Sequence, residues 1–165
     1  MLAIIGGSGL TRLSTLAIAH REVVRTPYGE PSSALVFGQI ASSDVVFIAR
    51  HGHGHTIPPH RVNYRANLWA LKERGATAIL AVASVGGIRD GATLVGMTGM
   101  PEAALARELG LPYAAIAVVV NHAAGRGESS EHISMDGINK VLHAAMDKVR
   151  TLLEHIVPLC VEDRS

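Results

Sequence analysis

The chain has 165 residues, of which 48% are hydrophobic and 18% charged, with a formal net charge of +1. That length suits one α/β domain burying roughly 70% of the surface its unfolded chain exposes. The balanced charge speaks against nucleic-acid or membrane-surface binding driven by bulk charge, and a single cysteine, Cys160, excludes an internal disulfide and suits a reducing compartment.

In chain order, residues 2–5 form a short apolar run ending on Gly6-Gly7-Ser8-Gly9, the pattern of a buried strand feeding a tight turn. The N-terminus lacks the basic segment and long apolar run of a signal peptide, so a cytoplasmic location is expected. Residues 34–40 and 45–49 read as paired strands around a Ser42-Ser43-Asp44 turn. Residues 63–74 form a predicted helix, with Tyr64, Leu68 and Leu71 on one stripe and Gly75 as its stop. Residues 78–83 read as another buried strand, ending at Ser84-Val85-Gly86-Gly87. A second helix is predicted over 101–109, with Thr98 as candidate cap and Gly110 as stop.

Residues 113–120 carry the apolar run of a central parallel strand that breaks at Asn121. The run is far too short to cross a bilayer. Residues 128–131, flanked by glycines, read as a mobile loop. The last helix, entered through Ser134, shows an apolar face from Ile138 to Ile156 at helical spacing. Strands alternating with helices imply a single α/β domain over 1–165, with a central mixed, largely parallel sheet flanked by helices.

Four unusual segments follow predicted strands, where open α/β sheets gather their ligands: 6–9, 50–60, 84–87 and 121–124. Gly6-Gly7-Ser8-Gly9 offers unhindered amides and one hydroxyl to an anion; a turn needed only for packing has the same look. It is neither a Walker loop nor the dinucleotide fingerprint. In residues 50–61, Arg50 can grip a phosphate in a bidentate fork, and His51 adds a further donor. Alternate His51, His53 and His55 also fit a zinc site, and a solvated polar loop is the third reading. The intervening glycines and the lack of a neighbouring cysteine or carboxylate weigh against zinc. Asn121 can pair with a 6-oxopurine or simply end a strand. Thr98 can cap a helix or place its hydroxyl on an anion at the helix's positive end, and Met97 has the composition of a core residue.

Three stretches closely resemble the methylthioadenosine phosphorylase branch of the trimeric purine-nucleoside phosphorylases. They are Ile4-Ile5-Gly6-Gly7-Ser8-Gly9-Leu10, Arg50-His51-Gly52 through His60-Arg61-Val62-Asn63-Tyr64-Arg65-Ala66-Asn67, and Gly96-Met97-Thr98-Gly99-Met100-Pro101-Glu102-Ala103. The resemblance runs over nearly all of residues 1–157 and implies a purine nucleoside phosphorylase-like fold. It implies that Ser8, Arg50, His51 and Thr98, with Ala83 and Ser84, hold phosphate. Met97 would then lie against the ribose, and Asn121, His122 and Ala123 would face the purine, with Arg50, His51 and Asn121 carrying the catalytic work. Inorganic phosphate is a co-substrate on this reading, no cofactor or metal is expected, and the partners are small molecules within a homotrimer.

Three departures from the family's pattern stand out. Its adenine-specific members carry aspartates where this chain has Asn121 and Ala123, which suits a 6-oxo base and the methylthioinosine subtype. Between Arg89-Asp90 and Gly91-Ala92 the family has a long central segment, including a base-packing aromatic, that this chain lacks. Ala83-Ser84 also replaces the family's usual Asn or Thr followed by Ala. The implied reaction is phosphorolysis of a purine (5′-methylthio)nucleoside. A methylthioadenosine phosphorylase and a non-catalytic remnant that keeps only the phosphate pocket are the alternatives.

Overall fold

The computed structural model describes residues 1–89, 93–122 and 134–162. Its spine is a seven-stranded sheet of β1 (Leu2–Gly6), β2 (Ala17–Glu22), β3 (Leu35–Ile40), β4 (Ser43–Ala49), β5 (Ala78–Arg89), β6 (Thr93–Val95) and β7 (Tyr113–His122). The order is β2-β3-β4-β1-β5-β6, with β7 also paired to β5. Parallel ladders join β4, β1, β5 and β7, while β2–β3, β3–β4 and β5–β6 are antiparallel. The sheet is mixed, as the alternation of elements implies, but its ladders divide evenly into three parallel and three antiparallel, because β2, β3 and β6 join their partners without crossover helices.

Helices cover both faces, and alternation along the buried strands splits the core in two. Ile4, Phe47, Leu80 and Val82 pack against Leu142, Met146, Val149 and Leu153 of α3 (Met135–Glu162). Ala3, Ile5, Ile48, Ile79 and Ala81 face Leu68 and Leu71 of α1 (Tyr64–Glu73) and Ala106 of α2 (Gly99–Glu108). Asn63 starts α1 by accepting the Ala66 amide at 3.1 Å, a cap that satisfies one orphan donor. Ser134 caps α3, its carbonyl accepting from Ile138 at 3.0 Å. No helix among the described residues is long and apolar enough to cross a membrane.

Several predicted boundaries move. The β3–β4 turn is Ala41-Ser42, both in left-handed backbone (φ 46° and 67°), so Ser43 and Asp44 already belong to β4. β2 has no apolar run to betray it: five of its six residues are exposed, and ladder bonds to β3 alone define it. β5 does not stop at Ser84 but runs to Arg89, because pairing with β6 and β7 carries it past the glycines with a register shift. β7 continues through Asn121 to His122 and pairs with β5 alone, so it is not central within the described sheet. α3 spans 28 residues and accommodates Pro158 near its end. The loop expected at 128–131 lies outside the described residues.

Candidate active site

The carboxyl ends of β1 and β4 meet the middle of β5, at Ala83 and Ser84, over a single cleft. The Arg50 amide donates to the Gly6 carbonyl at 2.9 Å, locking the end of β4 to the end of β1. Beyond it the chain turns at Gly7–Leu10, closed by Leu10 N–H on the Gly7 carbonyl at 3.0 Å. Gly9 adopts φ 78° there, a left-handed conformation that glycine takes without steric cost. Gly7 is required for a different reason. A Cβ at this position would stand 2.5 Å from the Val82 carbonyl oxygen and 2.6 Å from Arg50 Nη1, two atoms bonded to each other at 2.9 Å. Gly7→Ala is therefore expected to cost about 1–3 kcal/mol through overpacking, read from thermal unfolding. A wild-type melting temperature would show that Arg50 can move aside freely.

Arg50 is 1% exposed, and its fork is already committed. Nε donates to Glu102 Oε1 at 2.5 Å, Nη2 to Glu102 Oε2 at 2.8 Å, and Nη1 to the Val82 carbonyl. Glu102 is equally buried and also accepts from the Tyr113 hydroxyl at 2.9 Å. The bidentate grip expected for phosphate thus belongs to Glu102. Two of the five guanidinium N–H groups are left uncommitted among the described residues. Burial raises the Tyr113 pKa, reinforced by the Glu102 charge and hydrogen bond, so the phenol keeps its proton.

His51 is buried, and its Nδ1 lies 2.8 Å from the Ile57 carbonyl. A carbonyl only accepts, so Nδ1 carries the proton and a neutral ring presents its Nε2 lone pair. Burial, foremost, holds the His51 pKa below its ordinary 6.5. Protonation therefore favours the unfolded chain. Stability should be level above about pH 6.5 and fall as the pH drops below it. His51→Gln should flatten that fall in melting-temperature scans from pH 8 to pH 5, and equal slopes in the two proteins would remove His51 as the cause.

Arg50, His51, Ser8, Ala83, Ser84, Met97 and Thr98 line one cavity of about 550 Å³. Thr98 is the N-cap of α2, yet its hydroxyl makes no capping bond among the described residues, leaving it for the cavity at the helix's positive end. Pairing of β5 with β7 brings Asn121 to an adjoining cavity of about 860 Å³ that shares Ser8, Ser84 and Met97 with the first. Asn121 Nδ2 donates to the His122 carbonyl at 2.5 Å, and among the described residues Oδ1 and one N–H have no partner. Met97 is 76% exposed rather than core. His122 is exposed and lines neither cavity, and Ala123 lies outside the described residues.

Three residues with a part in this geometry receive no such role from the sequence, where His55 figures only as a candidate zinc ligand. His55, in left-handed backbone, meets Ser8 Oγ through Nε2 at 3.0 Å and lines both cavities. Glu102 and Tyr113 are the others; a glutamate one residue past the helix's proline is a faint signal, and Tyr113 gives none. The three alternate histidines do not converge. His51 and His55 rings lie 4.7 Å apart, but His53 lines a separate cavity with Arg12 and Arg21. Among the described residues no group of three or more His, Cys, Asp or Glu could hold a metal ion.

The model of the phosphorylase superfamily matches residues 1–92 and 89–158, two stretches that overlap between β5 and β6. A probable S-methyl-5′-thioinosine phosphorylase of Pseudomonas syringae pv. tomato is 36% identical over 241 positions, covering 94% of this chain and 97% of that protein. Since 241 aligned positions exceed the 165 residues here, at least 76 of them have no counterpart in this chain. An S-methyl-5′-thioadenosine phosphorylase of Hyperthermus butylicus is 49% identical over 89 residues, 54% of this chain and 32% of that one. The methylthioadenosine phosphorylase of Schistosoma mansoni, solved with adenine, superposes with a TM-score of 0.90 at 25% identity, covering 98% of this chain and 92% of that one.

Proposed function

The chain belongs to the phosphorylase superfamily, and from that premise we propose that it cleaves a 6-oxopurine (5′-methylthio)nucleoside, S-methyl-5′-thioinosine first among them, with inorganic phosphate. The products are hypoxanthine and 5-methylthioribose 1-phosphate. The observation that carries this reading is the pair of joined cavities, with Ser8, Arg50, His51 and Thr98 around one and Asn121 on the other.

Phosphate sits in the smaller cavity, against the hydroxyls of Ser8 and Thr98, the amides near Ala83 and Ser84, and the uncommitted edge of Arg50. One phosphate oxygen attacks the anomeric carbon as the glycosidic bond breaks, its electron pair leaving with the purine. The chain's contribution is positioning of the two reactants and stabilisation of the charge that develops on the base. Asn121 does the second job through its free N–H and Oδ1, while Met97 covers the ribose. His51 stays neutral and accepts a hydrogen bond from the phosphate hydroxyl through Nε2, which orients the anion. No cofactor or metal enters this scheme, and a cytoplasmic homotrimer belongs to the same reading. Apolar side chains left exposed beside the site, such as Met100 at 77%, speak for subunit contacts.

The test is release of free base from S-methyl-5′-thioinosine and from S-methyl-5′-thioadenosine, each with phosphate. Preference for the 6-oxo substrate is the expected result, and a clear adenosine preference would overturn the base assignment. The missing alignment positions favour a second reading, in which a central segment is absent between 90 and 91 and the chain binds phosphate without turnover. Phosphate binding with no base released from either nucleoside is the outcome that selects it.

A further inference from the structure

The anion cavity has a charge balance that its function does not by itself explain. Its guanidinium is not a free cation. Arg50 and Glu102 are each 1% exposed and joined along two edges at 2.5 and 2.8 Å, with Tyr113 donating a third bond to the carboxylate. His51 gives its Nδ1 proton to the Ile57 carbonyl and is held toward neutrality by burial. A lone arginine facing a dianion in so dry a place would hold it tightly, because charges interact strongly where water is excluded. Phosphorolysis has to let the anion go again, as a sugar phosphate.

We propose that Glu102 is a positioning residue that holds phosphate affinity down, clamping the Arg50 guanidinium while offsetting its charge. The anion is then held by oriented hydrogen bonds from Ser8, Thr98 and the outer edge of Arg50 more than by net charge, and the phosphate ester leaves readily. Tyr113 anchors the carboxylate from the side away from Arg50 Nε, so the clamp is built into β7 and α2 rather than into the loop itself. This rests on the phosphate reading above.

The experiment is calorimetric titration of the full chain with inorganic phosphate, wild type against Glu102→Gln, at one pH and ionic strength. The substitution keeps shape and removes the compensating charge. The expected result is phosphate binding about tenfold tighter in the variant, with kcat lowered because product leaves more slowly. Unchanged or weaker binding overturns the inference. Glu102→Gln leaves a buried cation uncompensated, so unfolding is followed across a phosphate series as well. A melting temperature that climbs more steeply with phosphate than in wild type, and not with chloride, upholds the inference. A parallel rise, or no cooperative transition at any phosphate concentration, overturns it, since a merely structural role lowers stability equally throughout. A wild-type chain that binds no phosphate overturns the functional reading and this inference with it. A binding wild type with an unaltered variant overturns this inference alone.

Discussion

Replacing Arg50 with alanine is expected to cost about 3–5 kcal/mol of stability and to abolish phosphorolysis. The stability loss follows from what is left behind. Glu102 is 1% exposed, and with Arg50 gone its carboxylate keeps, among the described residues, only the Tyr113 hydroxyl as a partner. Breaking a buried ion pair from one side is far more costly than replacing both members, because the survivor's charge stays desolvated. The Val82 carbonyl loses its Nη1 donor as well. A companion variant, Arg50→Met with Glu102→Met, separates fold from function. It should recover most of the lost stability while remaining inactive, since apolar groups of similar volume often substitute for a buried pair without net cost. Urea midpoints and free-base release measure the two effects. A single variant within 1 kcal/mol of wild type would mean that water reaches Glu102, and an active double variant would remove Arg50 from the phosphate site.

Asn121→Ala should lower kcat by about 10²–10³ while leaving the phosphate dissociation constant within twofold. Asn121 lines the larger cavity, beside the one proposed to hold phosphate, and is absent from the lining of the latter. Its Oδ1 and remaining N–H have no partner among the described residues, which on this reading leaves them to meet the departing base. Removing one preorganised donor from developing negative charge costs roughly that factor in other enzymes. Rates under single-turnover conditions and phosphate titration check the two halves separately. Equal losses in both would place Asn121 in the support of β7 instead of in the chemistry. Asn121→Asp tests the base choice by the same logic. A carboxylate only accepts, so the variant should move preference toward a 6-amino purine.

Much of the site was legible because the chemistry sits where strands end. Ser8, Arg50, His51, Ser84 and Thr98 each follow or flank a predicted strand or helix start, and the structure brings all five to one cavity. The strand ends at Ile5 and Ala49 were close to the observed ones at Gly6 and Ala49. What escaped has no local pattern. β2 is an exposed edge strand whose existence depends on its ladder with β3, and neither Glu102 nor Tyr113 differs in sequence from a solvent-facing residue of its element. For Met97 composition alone suggests the core and the family resemblance the ribose; the side chain is exposed and lines both cavities, because hydrophobicity by itself does not say which side of a cleft a methionine occupies.

The order and kind of the elements, the anion-binding residue types and the 6-oxo cue at Asn121 are properties of short segments. Periodicity, turn residues and side-chain chemistry determine them within a few positions of one another. The partner of Arg50, the tautomer of His51 and the adjacency of the two cavities are of another kind. They depend on residues such as Arg50 and Glu102, 52 positions apart along the chain, meeting in a place with no water to take either one's role. Only the packed sheet, which sets the end of β4 against α2 and β7 against β5, could decide that the arginine met first as a phosphate fork is held by a carboxylate.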